Sequence, residues 1–509
     1  MVFAPTIGGN LRCIATEFRS TSLLGSSNVK EHPYMQSTIP NLLAERYATE
    51  AIRDIWSPTG RIVLEREWWI AVLKAQKYLG LDIPEDAIAS YEKHKNEVDL
   101  EAIRKREQIT RHDVKARIDV FCETAGYQHI HKGMTSRDLT ENVEQLQIIR
   151  SLKHIRFRAI AALNALRERA GEHRSLRLTA RTHNVPAQLT TLGKRLAMFG
   201  EELLLSLDAL DALIENYALR GLKGAVGTRL DMVTLFDGDV QKAQELEQKV
   251  MEELGVAHTM NATGQVYPRS YDGQVVATLL QLAAAPSSFA TTLRLMAGEE
   301  TASEGFLPGQ VGSSAMPHKR NSRSCERING FYVLLQGYSQ MVNSIAGGQW
   351  NEGDVSCSVV RRVALPDAFF AIDGMLETFH VVLRQMEIDP SAIEAESRHY
   401  LPFLLTTTYM MQAVRNGVGR EEAHERIKRH ALEVMKDLQE NRISANDLPE
   451  RLARDNDLGL AHSDVQRILE QGSHAVGEAE LQVDRFADNV QHWLHRYSDA
   501  ENYRPGPIL

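Results

Sequence analysis

The chain has 509 residues, of which 43% are hydrophobic, and a formal net charge of -9 at pH 7. That length exceeds the size at which one hydrophobic core stops growing, so we expect two or three domains with a large buried core. The acidic balance argues against a general nucleic-acid or membrane-surface binder, because such proteins depend on an excess of basic residues.

Residues 1–38 differ in composition from the rest of the chain. Gly, Ser and Thr are frequent, the acidic residues are Glu17 and Glu31, and no apolar period appears. A poorly ordered extension, or an upstream start codon with Met35 as the alternative start, is favoured over a transit peptide. We expect the folded part to begin near Ile39.

Beyond this extension the sequence has the period of α-helices. Apolar residues recur every three or four positions over 148–166 and again over 192–214. Further helical segments are predicted near 274–298, 325–346 and 363–386. The patterns predict an all-α protein built on a bundle of long helices.

Breaks in this pattern divide the chain after the extension into three helical domains. Ser-Pro at 57 and 58 indicates shorter helices in an N-terminal domain over 39–134. A central domain of long helices follows over 135–387, and Asp389-Pro390 marks its end. The C-terminal helical domain covers 388–509.

The cysteines and the apolar stretches bear on the compartment. Cys13, Cys122, Cys325 and Cys357 lie far apart and include no Cys-x-x-Cys pair. This spacing fits neither a disulfide framework nor a zinc site, and it favours a reducing compartment, which we expect to be the cytoplasm. The sequence contains no uninterrupted run of about 18 apolar residues, so it predicts no transmembrane helix.

The most specific stretch is GSSAMPHKRN at 312–321. Its Gly and Ser residues give backbone freedom, a Met-Pro pair stiffens the exit, and Lys319, Arg320 and Asn321 supply donors for an anionic substrate. An isolated Gly-Ser-Ser is more often a solvated turn before a helix. The whole string instead predicts a mobile active-site loop over 305–322.

Two clusters that contain histidines precede this loop. The first comprises 111–113, with the sequence Arg-His-Asp, together with 129–136, and the second is Arg-Thr-His at 181–183. We place each cluster at a helix boundary, where Asp113 or Thr110 could cap a helix. A single histidine is more often a structural hydrogen-bonding group than a catalyst. His129 and the His two residues later lack a third ligand at a convincing spacing, so no metal is predicted.

Several common catalytic motifs are missing from the sequence. It contains no G-x-x-x-x-G-K-S/T loop, no dinucleotide fingerprint and no G-x-S-x-G elbow. Nucleotide hydrolysis, hydride transfer and serine esterase chemistry therefore lose support. What remains is acid–base chemistry on an anionic substrate, without a cofactor.

Six motifs occur in the order seen in the fumarase/aspartase superfamily. They are RHDV (111–114), GMTSRDLTEN (133–142), ARTHNVPAQLTTLGKR (180–195), KGAVGT (223–228), TGQVYPR (263–269) and GSSAMPHKRN (312–321). Within that superfamily the chain resembles the adenylosuccinate lyase family over residues 39–480. Carboxymuconate cycloisomerases share the loop motif but lack a histidine at the position of His183, which favours the lyases.

The resemblance implies a three-domain fold whose central helices form a twenty-helix core in a homotetramer, with active sites shared between subunits. It implies elimination of fumarate from adenylosuccinate, giving AMP, and from succinyl-aminoimidazole-carboxamide ribotide, giving AICAR, in purine biosynthesis. The expected partners are therefore small succinylated purine nucleotides. Neither nucleic acid nor a membrane is expected as a partner.

The resemblance also assigns catalytic roles. Ser313 is the base that removes a carbon-bound proton, and His183 is the acid that protonates the departing nitrogen. Lys319 would help to stabilise the serine alkoxide. Glu326 would pair with His183, and His112 would hold the substrate phosphate or the developing charge. The choice of Ser313 over the serine that follows it rests on the resemblance alone.

Further substrate contacts follow from the resemblance, with arginines suited to carboxylate and phosphate groups. They are Arg46, Tyr47, Arg111, Asp113, Thr135, Ser136, Thr182, Gln265, Asn321, Arg327, Ser358 and Arg362.

Three positions depart from the family pattern. Ser322 stands where Pro is usual and Cys325 where Ser is usual, which predicts a looser exit from the loop. Gly353 stands where many members carry an arginine near the substrate phosphate. The phosphate clamp would then be rebuilt from Arg361, Arg362 or Ser358, or the affinity would be lower.

Two other classes of protein fit the sequence less well than an enzyme does. A catalytically silent structural relative need not keep base, acid, lysine and glutamate together, as this chain does. A module that only binds small anions has no need of a mobile Gly-Ser-Ser loop. The sequence therefore predicts a carbon–nitrogen lyase.

Overall fold

The computed structural model describes residues 39–306, 309, 312–506 and 508. The chain divides into a short unit, Met1–Pro40, and one compact unit, Asn41–Leu509. The predicted extension over 1–38 lies outside the described residues, as does part of the predicted loop. The division of the folded part into three domains stays a prediction.

The all-α prediction is confirmed, since helices dominate the compact unit. The α-helices are α1 (Leu42–Arg46), α2 (Glu50–Trp56), α3 (Pro58–Tyr78), α4 (Glu85–His94), α5 (Leu100–Thr110), α6 (Asp113–Ala125), α7 (Ser136–Glu172), α8 (Leu192–Glu215), α9 (Leu230–Leu235), α10 (Val240–Leu254), α11 (Ser270–Gly298), α12 (Arg323–Asn343), α13 (Ser358–Gln385), α14 (Pro390–Leu404), α15 (Thr406–Arg415), α16 (Arg420–Gln439), α17 (Leu448–Arg454), α18 (His462–Gly472) and α19 (Ala479–Arg496). Short 3-10 helices lie at Asn456–Leu458 and Ser498–Ala500.

The strands are short and form pairs. Strands β1 (Arg177–Thr182) and β2 (Val185–Thr191) make an antiparallel hairpin. Strands β3 (Ala218–Leu219) and β4 (His258–Thr259) pair in parallel, and β5 (Ala302–Ser303) and β6 (Glu387–Ile388) pair antiparallel.

The main core lies where α7, α8, α11, α12 and α13 pack against one another. Helix α7 has 37 residues and is about 55 Å long. The apolar seam predicted over 148–166 is buried, with Ile148, Leu152, Ile155 and Leu166 fully inaccessible. Each such side chain stabilises the fold by roughly 1.5–3 kcal/mol. The long helices predicted from the apolar period are confirmed.

Helix α11 is apolar enough in composition to cross a membrane, with a mean hydropathy of 1.3 over its most apolar window. Half of that window is buried within the protein, and the helix packs against α8, α12 and α13. A central position in a helix bundle accounts for this composition.

A second, smaller hydrophobic cluster lies in α15 to α18, between Leu405 and Ile468. The next helix, α19, returns to the main core and packs on α7 and α8. A Cβ at Gly200 would lie 2.2 Å from the ring of Phe486, so glycine permits the close approach of α8 and α19.

Candidate active site

A cavity, the His112 cavity, lies where the first turns of α6, α7 and α13 meet. Three motifs that are far apart in the sequence converge there. The predicted site residues in its lining are His112, Asp113, Ser136, Ser358 and Arg362. Thr135, also predicted, is the half-buried N-cap residue of α7, next to Ser136.

The backbone around His112 fixes its position. Arg111, predicted as a substrate contact, ends α5 with φ of 53° and is exposed. The prediction that Asp113 or Thr110 caps a helix is wrong. His112 itself is the N-cap of α6, and its Nδ1 accepts a hydrogen bond from the backbone amide of Lys115 at 3.3 Å. The ring is therefore oriented by the helix that it caps.

Sequence reasoning missed several polar residues in this cavity. The first turns of α7 present three of them, Arg137, Thr140 and Glu144, and Arg61 of α3 is a fourth. Thr140 and Glu144 follow Ser136 by four and eight positions, which places the three residues on one face of α7. The sequence alone contains this signal. Arg137 donates to Glu141 at 3.0 Å.

Arg361 lines the same cavity but is committed to carboxylates. Its side chain is 3% exposed, and its guanidinium lies 2.9 Å from Glu144 and 2.7 Å from Asp272. Burial opposes its charge, but these carboxylates raise the pKa of Arg361 well above its ordinary value. The neighbouring Arg362 is exposed. Of the two arginines considered for a phosphate clamp, Arg361 is paired with carboxylates and Arg362 is exposed to solvent.

A second cavity, the Tyr47 cavity, is lined by three more predicted residues, Arg46, Tyr47 and Arg327. The guanidinium of Arg327 lies 5.3 Å from the centroid of the Tyr47 ring, within cation–π range. Tyr47 packs against Gly374 of α13, where a Cβ would lie 2.8 Å from the Tyr47 Cβ. Glycine at 374 therefore allows Tyr47 to lie against the helix.

His183 lies at the tip of the β1–β2 hairpin. The expectation of a helix boundary is wrong for this cluster, because Arg181 and Thr182 are the last residues of β1. Thr182 pairs with Val185, so His183 and Asn184 form a two-residue loop with φ values of 51° and 61°. Positive φ at both loop residues is the requirement of a type I′ turn.

The hairpin is anchored at its base and exposed at its tip. Arg181 pairs with Glu299 at 3.1 Å and also with Glu396 of α14, which packs against both strands. Thr182 and His183 are exposed to solvent. The hairpin therefore presents His183 on the surface of this chain.

Ser313 lies in the loop before α12 and is half-buried. Its Oγ accepts hydrogen bonds from the backbone amides of Met316 at 3.1 Å and Ala315 at 3.4 Å. Asn321 donates from Nδ2 to the carbonyl of Gly312 at 2.9 Å, which closes the loop on itself. Lys319, on the same loop, is exposed. These contacts to the residues two and three positions further on form a Ser turn, which orients the Ser313 Oγ within the loop.

Glu387 of β6 contacts both arms of this loop. Its carboxylate accepts from the Ser303 hydroxyl at 3.3 Å and pairs with Arg320 at 2.9 Å. Where the chain leaves β5, Gly305 has φ of 82°, and a Cβ there would lie 1.9 Å from the carbonyl oxygen of Gln385. The ends of the loop are thus fixed to the helix core, while its centre carries Ser313.

The start of α12 is held by Glu304 despite the unusual Ser322 and Cys325. Ser322 makes no side-chain capping bond, but Glu304 accepts from the backbone amides of Ser324 at 2.9 Å and Cys325 at 3.0 Å. Burial and the nearby Glu304 raise the pKa of the Cys325 thiol. Carboxylate capping compensates for the residues that predicted a looser exit.

Glu326, on the first turn of α12, is exposed. In the described part of this chain its ion-pair partner is Arg294, at 3.9 Å, rather than His183. Among the described residues, no hydrogen bond or ion pair joins His183 to Ser313 or to Glu326.

Gly353 and Gln265 lie side by side. The backbone amide of Gln265 donates to the carbonyl of Glu352 at 2.5 Å. Gly353 has φ of 123°, and a Cβ there would lie 2.8 Å from the Val266 side chain. A residue with a Cβ at 353 would therefore be strained in this backbone conformation.

Among the described residues, no group of three or more His, Cys, Asp or Glu side chains is arranged to hold a metal ion.

A lyase family model matches residues 45–337, a region that includes the long helices α7, α8 and α11 and the loop motif. The fold is shared by the 3-carboxy-cis,cis-muconate lactonizing enzyme of Pseudomonas putida, with a TM-score of 0.77 and 21% identity over 89% of this chain and all of that one. A fumarate lyase of Mesorhizobium has a TM-score of 0.74 and 20% identity over 87% of this chain and 98% of that one. At these identities the likeness establishes the fold.

Sequence similarity is more specific. A model of the adenylosuccinate lyase C-terminus matches residues 402–486. The adenylosuccinate lyase of Schistosoma mansoni is 32% identical over 90% of this chain and 96% of its own length. That of Saccharomyces cerevisiae is 34% identical over 87% and 93%. The chain belongs to the adenylosuccinate lyase family.

Proposed function

We propose that the chain eliminates fumarate from adenylosuccinate to give AMP, and from succinyl-aminoimidazole-carboxamide ribotide to give AICAR. Family membership supports the reaction. The observation that carries the proposed chemistry concerns Ser313. Its hydroxyl oxygen accepts hydrogen bonds from two backbone amides, within a loop whose two ends are held by other contacts.

The reaction needs a base and an acid on opposite faces of the substrate. Ser313, as the alkoxide, takes the proton from the carbon beside a succinyl carboxylate. The electron pair of that C–H bond forms the double bond of fumarate as the carbon–nitrogen bond breaks. His183 gives its proton to the departing nitrogen. Lys319 and the loop amides stabilise the charge on the serine oxygen.

The active site is assembled from several chains of a homotetramer. Ser313 and His183 do not meet within one chain, although both lie near its surface. Exposed apolar side chains on the long helices support an interface, since exposed patches of this kind mark association surfaces. They include Met198 and Leu205 on α8, Leu295 on α11, and Val333 and Leu334 on α12.

Both cavities supply side chains that recognise the substrate. The His112 cavity offers Ser136, Ser358 and Arg362, together with the unpredicted Arg137. Arg46 and its neighbours in the Tyr47 cavity supply further positive charge. Arginines in both suit the carboxylates and the phosphate of a succinylated nucleotide. The reaction proceeds without a cofactor, and we propose that it takes place in the cytoplasm.

The test is to incubate the purified protein with adenylosuccinate and, separately, with argininosuccinate. We expect fumarate and AMP from the first and no fumarate from the second. The Ser313→Ala variant should lose about 10²–10⁴-fold in turnover, as expected for removal of a catalytic base. Fumarate from argininosuccinate alone would contradict the proposed substrate.

A further inference from the structure

Residues 503–506 and 508, here called the C-terminal segment, follow the last 3-10 helix and lie beside the Tyr47 cavity. Tyr503, Gly506 and Ile508 line this cavity together with the proposed substrate residues Arg46 and Arg327. No motif predicted a role for this segment. It lies outside the matched lyase regions, 45–337 and 402–486, and the proposed mechanism does not use it.

Glu377 of α13 anchors the segment. The Tyr503 hydroxyl donates to the two carboxylate oxygens of Glu377 at 3.0 and 3.2 Å, and the backbone amide of Gly506 donates to one of them at 2.6 Å. Arg158 of α7 pairs with the same carboxylate, and its guanidinium lies 4.1 Å from the centroid of the Tyr503 ring. Arg158 and Glu377 are 4% and 8% exposed, so water screens these contacts little.

The same turns of α13 hold the residues around Tyr47. Gly374, three residues before Glu377, allows the close contact with Tyr47. The next residue back, Asp373, accepts from the backbone amide of Thr49 at 2.6 Å. One stretch of α13 therefore contacts both the C-terminal segment, through Glu377, and Tyr47, through Gly374.

We propose that the C-terminal segment, through Tyr503, Gly506 and Ile508, forms a wall of the pocket that binds the nucleoside monophosphate part of the substrate. Tyr503 is a positioning residue that acts on Tyr47 through Glu377 and α13. This inference rests on the proposed function, because it takes Arg46, Tyr47 and Arg327 as substrate contacts. Removing the wall admits water to arginines that would otherwise bind phosphate in a partly shielded site, which weakens binding.

The effect falls on binding rather than on bond breaking. The described residues of the segment make no contact with Ser313 or His183, and Tyr503, Gly506 and Ile508 line the Tyr47 cavity. A defect here therefore raises KM and the Kd for AMP, whereas a general loss of structure lowers the active fraction and kcat.

The experiment compares the full chain with a chain that ends at Asn502, and with Gly506→Pro and Gly506→Ala. Proline removes the amide that donates to Glu377. Alanine keeps it, and the added Cβ would lie an ordinary 3.5 Å from the Glu377 carboxylate. Adenylosuccinate kinetics give KM and kcat, and calorimetry gives the Kd for AMP.

We expect the shortened chain and G506P to raise KM and the Kd for AMP by about tenfold, with kcat within about threefold of the full chain. We expect G506A to raise KM and Kd clearly less than G506P does. The proposal is overturned if the shortened chain keeps KM and Kd within about twofold, if G506A matches G506P, or if only kcat falls. Should the shortened chain not fold, G506P against G506A gives the same decision. A full chain that forms no fumarate would instead contradict the proposed function, and the AMP affinities would still test the wall.

Discussion

Gly353 shows how one residue constrains the chemistry of its neighbours. Its φ of 123° lies where side chains are strained, and a Cβ would meet Val266 at 2.8 Å. The family arginine cannot be restored here by substitution alone. Recognition of phosphate in this chain therefore depends on arginines elsewhere, of which Arg362 is exposed in the His112 cavity.

We predict that Gly353→Ala lowers the free energy of unfolding by about 1–3 kcal/mol, because the backbone is strained for any residue with a Cβ. Urea unfolding measures this. Gly348→Ala is the matched control in the same segment, since its Cβ would meet only the Ile345 carbonyl, at an ordinary 3.5 Å. Equal losses in the two variants would show that the conformation of Gly353 is not the cause.

His112 has two functions that substitution can separate. It caps α6 through Nδ1, and it lines the cavity proposed for the substrate. Asparagine is a good N-cap, whereas alanine is a poor one. We predict that His112→Ala loses about 1 kcal/mol of stability relative to His112→Asn, while both variants lose activity.

The measurements for His112 are thermal unfolding and fumarate release. An active His112→Asn variant would mean that the imidazole serves only as a cap. Equal stability of the two variants would mean that the capping bond contributes little.

At the scale of elements, the hairpin combines a proposed catalytic group with an unfavourable backbone. His183 adopts a positive φ that costs about 1 kcal/mol for most side chains, and asparagine tolerates it better. We predict that His183→Asn abolishes turnover while the free energy of unfolding stays equal or rises by up to about 1 kcal/mol. Chemical unfolding and fumarate release test both parts.

The matched control is Asn184→Gly at the second loop residue. Glycine suits a positive φ, so we expect this variant to keep its activity and its stability. Turnover by His183→Asn at the rate of the unmodified chain would remove this histidine from the mechanism.

The same hairpin shows what sequence can and cannot predict. The long helices were predicted because apolar residues such as Ile148 and Leu152 recur at the helical period over many turns. The hairpin was missed because His183-Asn184 lacks the Asn-Gly signal of a tight turn. The strand pattern on either side of this turn is short and weak, so it does not predict the hairpin without a recognisable turn signal.

The candidate site was predictable residue by residue but not in its arrangement. Motifs named His112, Ser136 and Arg362, yet their meeting in one cavity depends on how three helix ends pack. Arg361 was considered for phosphate, and only the structure shows it held by Asp272, which lies 89 positions away in the sequence. Contacts of such separation leave no local signal in a single sequence.

At the scale of the whole molecule, the proposed base and acid lie on different surface features of one chain. Ser313 is on the loop held by Glu387, and His183 is at the tip of the hairpin held by Glu396. In the proposed tetramer, the loop of one chain meets the hairpin of another. Closed symmetric assembly brings such features together repeatedly.

The decisive measurement mixes two inactive variants, Ser313→Ala and His183→Ala, under conditions that allow chains to exchange. Random mixing gives about a quarter of the sites an intact serine from one chain and an intact histidine from another. We predict that the mixture regains about a quarter of the unmodified fumarate release from adenylosuccinate, although each variant alone is inactive. A mixture that exchanges chains and stays inactive would contradict a site shared between Ser313 and His183 of different chains.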